Sequence, residues 1–331
     1  MRTHHLPVAV VGAGPCGLAS AVALKAAGIP AVVFDKGRVA QSIADYPTHL
    51  TMFSTPEKLV IGGVEFACAG FRPTRAETLA YYRAVAARYA VDVRQQERVL
   101  AVERSGTSFI VRTAVSRGGN TSLAHHAARA VVVATGYFDY PNMLGVPGED
   151  LPHVSHRFVE GHGAFGRNVV VVGGGNSAVE AAIELARCGA RVALVHYEQA
   201  FVSHVIKPWV LPEFEQRVAA GEIAIRWGAR LRGITPIDAT VADGTGATER
   251  LPADFVYLMT GYTPKPGLLG DLGVSFDPET GIPAHNPATM ETTVPGVFVA
   301  GVITSGKKAN GIFIENGRGH GALIASALTA R

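Results

Sequence analysis

Short unbroken apolar runs, each leading into glycine, dominate the pattern of this chain. Val8-Ala9-Val10-Val11 leads into Gly12, and Val169-Val170-Val171-Val172 leads into Gly173. An apolar run without polar alternation predicts a strand covered on both faces, as in a parallel sheet. After each glycine the spacing turns helical, predicting helices that reach Gly28 in the first case and run over 176–188 in the second. A second apolar strand then follows, over 31–36 and over 191–195, with further buried strands at 130–136, 255–261 and 294–301. Leu79, Tyr82, Val85, Ala86 and Tyr89 recur at helical spacing and predict a helix over 78–90. Short alternating segments over 91–115, strongest at 99–102 and 109–111, predict an antiparallel ribbon, with His125 and His126 in a polar turn beyond it. Residues 207–220 read as helix past their prolines, 223–237 as strand, and 312–330 as a glycine-rich loop that becomes an Ala/Leu-rich helix.

Two of these strand ends carry the same fingerprint. Gly12-Ala13-Gly14-Pro15-Cys16-Gly17 and Gly173-Gly174-Gly175-Asn176-Ser177-Ala178 both follow Gly-x-Gly-x-x-(Gly/Ala). The first glycine makes a tight turn, the second lets the backbone approach a pyrophosphate, and the small third residue lets helix and strand pack closely. The helix start then offers free N–H groups to phosphate. Two such motifs in one chain imply two dinucleotides, naturally a resident flavin and an exchanging nicotinamide coenzyme. The next strand of the first unit ends at Asp35, where a carboxylate accepts hydrogen bonds from an adenosine ribose. The equivalent place in the second unit holds His196, followed by Tyr197 and Glu198. The expected fold is α/β, with two Rossmann-like domains. An FAD-binding domain of residues 1–145 and 265–331 is interrupted by an NAD(P)H-binding domain of residues 150–264. The Pro/Gly-rich stretch 145–152 reads as the crossing, and the second domain's first structured residues are expected near Gly161.

Composition narrows the function classes. The chain has 331 residues, 48% of them apolar, enough for two domains with cores of their own. A formal net charge of +3 without a basic block gives no reason to expect nucleic acid. The short polar lead, residues 1–7, has no signal-peptide core, and no run reaches membrane-spanning length. Cys16, Cys68 and Cys188 form no Cys-x-x-Cys pair and no metal spacing, so the expected setting is a reducing cytoplasm, with no metal.

Finer stretches point to a family. Gly-Pro-Cys-Gly (14–17), Tyr-Pro-Thr-His (46–49), Ala-Thr-Gly-Tyr (134–137), Ile-Lys-Pro-Trp (206–209), Ala-Gly-Val-Ile (300–303) and Phe-Ile-Glu-Asn-Gly (313–317) together resemble the bacillithiol disulfide reductases. These are flavoproteins similar to low-molecular-weight thioredoxin reductase, and the resemblance runs from Val8 to the C-terminal helix. It implies an FAD enzyme that oxidises NADPH, or NADH, and reduces a small-molecule disulfide as a homodimer or homotetramer. By position, Gly12, Gly14, Pro15, Gly17, Asp35 and Lys36 would hold the FAD pyrophosphate and adenosine ribose. Thr135 and Gly136 would line the flavin crossing, while Gly301, Val302, Ile314 and the 313–317 segment would sit by the ribityl chain and ring. Gly173, Gly175, Asn176, Ser177, Ala178, His196 and Tyr197 would receive the nicotinamide coenzyme. Thioredoxin reductases usually have Asp where this chain has Val302, which separates it from them.

The chemistry leaves several points open. Members of the wider group often clamp the NADPH 2′-phosphate with arginines where this chain has Tyr197 and Glu198. A carboxylate there suits a free 2′-hydroxyl, unless Glu198 faces solvent and a cation such as Lys207 or Arg191 takes over. With no Cys-x-x-Cys pair, either the flavin meets the disulfide directly or a single thiol mediates. Cys16, at a helix start whose dipole favours thiolate, is the catalytic candidate against a plain packing role. His49 would reach the flavin, as a cofactor contact and proton donor or as a loop-ordering group; His320 has the same two readings. Lys207 and Trp209 either line the substrate mouth or cap and pack the following helix. Cys68 and Cys188 read as structural. The rival functions are a ferredoxin- or thioredoxin-type reductase with a protein acceptor and a non-catalytic flavin redox sensor. A flavin monooxygenase ranks below these, for its Phe-x-Gly-x-x-x-His stretch is missing around His156.

Overall fold

The computed structural model of the chain describes residues 6–202, 205–307 and 311–331; most of the polar lead, residues 1–5, lies outside them. Two compact units emerge, one from Met1–Tyr140 with Thr263–Arg331, the other from Pro141–Tyr262.

The first unit is built on five parallel strands in the spatial order Val297–Val299, Ala130–Val133, Val8–Val11, Ala31–Phe34, Asp92–Arg94. Val8–Val11 lies at the centre and is buried throughout, which is why its sequence shows no alternation. The core around it joins Val10, Val33, Val132 and Phe298 to Leu24 and Ile324 of the helices Pro15–Ala26 and His320–Thr329. Pro15 sits at the helix start, where its missing N–H costs nothing. The helix Arg75–Arg88 begins earlier than its apolar pattern does, because Thr74 and Glu77 form a capping box worth about 1 kcal/mol.

Two expectations fail in this unit. Asp92–Arg94 pairs in parallel with Ala31–Phe34 instead of opening a ribbon. The antiparallel sheet has three strands, Glu97–Ser105, Ser108–Arg117 and Asn120–Ala128, and His125 and His126 lie on the last of them, not in a turn. His126 Nε2 stands 2.7 Å from Glu97 Oε1, and its ring packs against Phe34 at 4.8 Å. That strand is exposed over most of its length, so it carries no apolar run to read.

The second unit repeats the first except at one outer edge, where its strand Val154–Ser155 precedes the glycine-turn strand while Val297–Val299 of the first unit follows it. Its parallel sheet has the order Val154–Ser155, Phe255–Leu258, Asn168–Val172, Arg191–His196, Ile223–Trp227. In both units the glycine-turn strand is central and the next two strands in sequence lie to one side. A three-stranded antiparallel excursion follows, here Arg230–Ile234, Asp238–Ala242 and Thr248–Pro252, and the chain returns on the other side. The strands Asp238–Ala242 and Thr248–Pro252 were not expected. The stretch 145–152 is no crossing. It lies inside the second unit, where Glu149 accepts hydrogen bonds from the Leu144 and Gly145 N–H groups at 2.8 and 2.7 Å. The unit begins at Pro141, ahead of the expected Gly161, because Val154–Ser155 supplies its edge strand. No helix of the described residues is long and apolar enough to cross a membrane, and no group of potential metal ligands converges among them.

Candidate functional site

The two glycine turns are superimposable in their logic. Gly12 has φ +110°, and a Cβ there would lie 2.4 Å from the Ala134 carbonyl oxygen; Gly173 has φ +150°, with the Met259 carbonyl oxygen at the same 2.4 Å. Each chain reversal is pressed against the end of the neighbouring parallel strand, where no side chain fits. The third small position differs: a Cβ on Gly17 would meet the Gly12 carbonyl oxygen at 1.9 Å, whereas the second turn admits the methyl of Ala178. The middle positions are different again. Gly14 and Gly175 have extended backbones any residue adopts, φ −70° and −101°, and nothing lies within 4 Å of a Cβ at either. Each is the N-cap of its helix, without a side-chain cap. What needs glycine there is the space in front of the free helix N–H groups. Both turns therefore offer a bare, cationic helix end with room for a pyrophosphate, and the residues fit two dinucleotides.

The residue behind each turn distinguishes the two. In the first unit the Asp35 carboxylate accepts hydrogen bonds from the N–H groups of Ala13 and Gly37, both at 2.7 Å. Burial pushes its pKa up, against the pull of those bonds. Lys36 turns away to Asp139, 2.5 Å from its carboxylate. In the second unit the buried imidazole of His196 takes the place of Asp35, so close to the turn that a Cβ on Gly174 would lie 2.0 Å from the ring. Burial lowers the His196 pKa, leaving a neutral ring among Tyr197, Phe201 and Trp227.

Late segments of the chain complete the first unit's site. Gly301, φ +78°, turns the chain after Val297–Val299, with Val302 next in the short helix Gly301–Ser305. His320 Nδ1 accepts the Gly301 N–H at 3.1 Å. Ser54 donates to the Glu315 carboxylate, and Asn316 accepts the Phe313 N–H at 2.8 Å. Ile314 packs on the cluster that includes Leu59 and Tyr82. Thr135 and Gly136, φ +70°, follow the Ala130–Val133 strand, and the adjacent Phe138 meets Tyr46 edge-on at 5.6 Å. This contact ties the Tyr-Pro-Thr-His turn to the Ala-Thr-Gly strand end; His49 itself is exposed.

Cys16 is brought to the late segments. Its sulfur would lie 3.0 Å from a Cβ on Gly301 and 2.8 Å from one on Gly317, so both glycines make room for it. The helix-start argument for a thiolate fails. Burial first, then the nearby Glu315 charge, push the Cys16 thiol up to about 12. A helix dipole is worth about 0.3–1 kcal/mol, too little to offset removing an anionic sulfur from water. Sequence reasoning saw the helix start but not the residues from the far end of the chain that bury it. Cys188 ends its helix next to Gly161, as a packing residue, and Cys68 donates to the Gly70 carbonyl at 3.0 Å.

Both proposed substitute cations are engaged elsewhere. Arg191 lies at the far end of its strand, bonded to Asn168 at 2.8 Å, and Lys207 pairs with Glu180 at 2.7 Å. The Lys207 N–H bonds to Asn176 Oδ1, and Asn176 Nδ2 to the Val205 carbonyl, both at 2.8 Å. Ile-Lys-Pro-Trp thus braces the second helix start through the Asn176 side chain, leaving Asn176, Ser177 and Ala178 to offer backbone there.

His320 gives a pH test. Burial, and then His285, lower its pKa, so the folded state holds the ring neutral, as the Gly301 hydrogen bond requires. With the folded value below the unfolded one, stability is fully present above about pH 6.5 and falls as the pH drops through the folded value. Thermal unfolding between about pH 7.5 and 5.5 should show the midpoint falling on acidification. His320→Asn keeps an acceptor at that place and does not titrate, so its slope should be shallower; equal slopes would remove His320 from the account.

Comparison with known proteins bears on the same residues. Residues 9–301 match the family model described as pyridine nucleotide-disulphide oxidoreductase. The chain is 46% identical over 323 residues to bacilliredoxin reductase Bdr of Bacillus subtilis (strain 168), covering 97% of each chain. It is similar to the solved bacillithiol disulfide reductase Bdr (YpdA) from Bacillus cereus, with a TM-score of 0.94 and 45% identity over 98% of this chain and 99% of that one. The enzyme of the same name from Staphylococcus aureus gives a TM-score of 0.91 and 37% identity over 98% of both chains.

Proposed function

From the premise that the chain belongs to the pyridine nucleotide-disulphide oxidoreductase family, we propose that it is a flavin-dependent reductase of a low-molecular-weight thiol disulfide of the bacillithiol disulfide kind. The two solved relatives carry the name bacillithiol disulfide reductase and the Bacillus subtilis relative that of a bacilliredoxin reductase, and all three span nearly the whole chain. The observation that carries the reading in this chain itself is the pair of bare helix ends at Gly14 and Gly175, one backed by Asp35 and the other by a neutral imidazole.

When bound, the flavin and the nicotinamide coenzyme supply two-electron hydride chemistry. The net reaction takes one reduced coenzyme, one proton and one disulfide to one oxidised coenzyme and two thiols. The chain's residues hold and orient. Gly12, Gly14, Pro15 and Gly17 shape the first cradle, and Asp35, with lone pairs left beyond its two backbone bonds, takes an adenosine ribose, which selects FAD over a mononucleotide. Thr135, Gly136, Gly301, Val302, Ile314 and His49 border the flavin side. Gly173, Gly175, Asn176, Ser177 and Ala178 form the second cradle, with His196 and Tyr197 at its ribose end, for NADPH or NADH. The reading places the enzyme in the cytoplasm, where free thiols stay reduced, as a homodimer or homotetramer.

The test is coenzyme oxidation by the purified flavoprotein against small disulfides, thioredoxin, ferredoxin and oxygen. Stimulation by bacillithiol disulfide above the protein acceptors supports the reading; stimulation by ferredoxin or thioredoxin alone overturns it. Cys16→Ser then separates its two roles. Its thiol is held protonated in the chain alone, so the near-isosteric serine should keep flavin and leave flavin reduction by coenzyme intact, with only partial loss of disulfide turnover. Complete loss of flavin reoxidation by disulfide would show that the thiolate forms in the loaded enzyme and is required.

A further inference from the structure

The ribose end of the second cradle poses a problem of charge. Tyr197 and Glu198 follow the strand Arg191–His196, and a carboxylate there repels a 2′-phosphate. The answer comes from the neighbouring strand. His196 is in register with Trp227, the last residue of Ile223–Trp227, and the chain then folds back over the loop. The Gly228 N–H bonds to the Glu198 carbonyl at 2.9 Å, and the Ala229 N–H to the His196 carbonyl at 3.0 Å. The next residue, Arg230, places its guanidinium carbon 4.8 Å from the centre of the Tyr197 ring.

We infer that Arg230 is the residue that selects a 2′-phosphorylated coenzyme, its guanidinium carried on the face of Tyr197 to meet that phosphate. The inference rests on the reading of the second cradle as the nicotinamide-coenzyme site. Several observations support it. Three other cations of the unit are engaged or misplaced: Arg226 holds Glu249 with two bonds of 2.6 and 2.7 Å, Lys207 holds Glu180, and Arg191 is at the wrong end of its strand. Among the described residues Arg230 forms no ion pair, and it is exposed. A guanidinium placed over an aromatic face keeps N–H donors available for phosphate recognition. The acid beside it acts on the Tyr197 hydroxyl, whose pKa Glu198 raises.

The probes are 2′,5′-ADP, which carries the extra phosphate, and 5′-ADP, which lacks it, titrated against the purified flavoprotein by calorimetry. Arg230→Met should weaken 2′,5′-ADP by about ten- to hundredfold, the worth of a charge-assisted phosphate contact. Binding of 5′-ADP should change by less than about twofold, since the contact is to the missing phosphate. Arg230→Lys should restore part of the loss, and Glu198→Arg in the Arg230→Met background should restore it by placing a cation on the same loop. In turnover, the loss with NADPH should appear in KM with kcat kept. Equal weakening of both probes makes Arg230 a structural residue and overturns the inference, as does no change in either. If the unaltered protein binds neither probe, the coenzyme-site reading falls and this inference with it, whereas a disulfide assay that fails while the probes bind leaves the inference standing.

Discussion

Gly14→Val should yield a folded chain that no longer retains flavin. Nothing in the fold requires glycine at this position: φ is −70° and ψ 176°, and a Cβ meets no atom within 4 Å. The branched side chain would stand in the space before the N–H groups of the helix Pro15–Ala26, which has no side-chain cap. Each hydrogen bond to a charged phosphate oxygen is worth about 1.5–3 kcal/mol. Losing two therefore weakens binding by a factor of about a hundred or more. Gly17→Ala is the contrasting variant. Its methyl would meet the Gly12 carbonyl oxygen at 1.9 Å, so it should disturb the turn and lower the yield of folded protein as well. Flavin absorbance after gel filtration, beside far-ultraviolet circular dichroism, separates the two outcomes. A Gly14→Val protein that stays fully yellow would show that the pyrophosphate does not lie at this helix end.

The second large effect belongs to Gly175. By the same geometry, φ −101° with open space before the helix Asn176–Arg187, Gly175→Val should leave the fold and the bound flavin intact. The KM for the nicotinamide coenzyme should rise by about a hundredfold, for NADPH and NADH alike, because the pyrophosphate is common to both. Gly174→Ala should be worse tolerated by the fold, since its methyl would enter the space of the buried His196 ring, 2.0 Å away. If Gly175→Val lost its flavin and kept its coenzyme KM, the two cradles would have been assigned in the wrong order. Steady-state kinetics and the flavin content of the same preparation give both numbers.

Where the sequence was legible, burial was local. The runs at Val8–Val11 and Asn168–Val172 are covered on both faces and followed by glycines whose φ values forbid side chains. Strand, turn and helix can each be read from neighbouring residues there. Legibility fails where long-range neighbours decide. Asn120–Ala128 is a strand because its backbone pairs with Ser108–Arg117, while its exposed polar residues give no apolar run. Cys16 looked like an activated thiol from its helix position, yet Gly301 and Gly317, from the other end of the chain, close on it, and burial with the Glu315 charge pushes its pKa up. Arg230 gave no signal at all, because its place over Tyr197 depends on the register of two parallel strands and on the turn that follows the second of them. His196 stood out as the missing acid, but only the packing shows a neutral ring filling the position that Asp35 holds in the first unit.

The measurement closest to the central claim is a single turnover without oxygen. The purified flavoprotein is reduced with one equivalent of NAD(P)H, then mixed in a stopped-flow instrument with bacillithiol disulfide, oxidised thioredoxin or oxidised ferredoxin, and flavin absorbance is followed. The account predicts rapid return of the oxidised spectrum with the small disulfide, two thiols released per flavin reoxidised, and slower reoxidation by either protein. Reoxidation by thioredoxin or ferredoxin with no response to the small disulfide would contradict it.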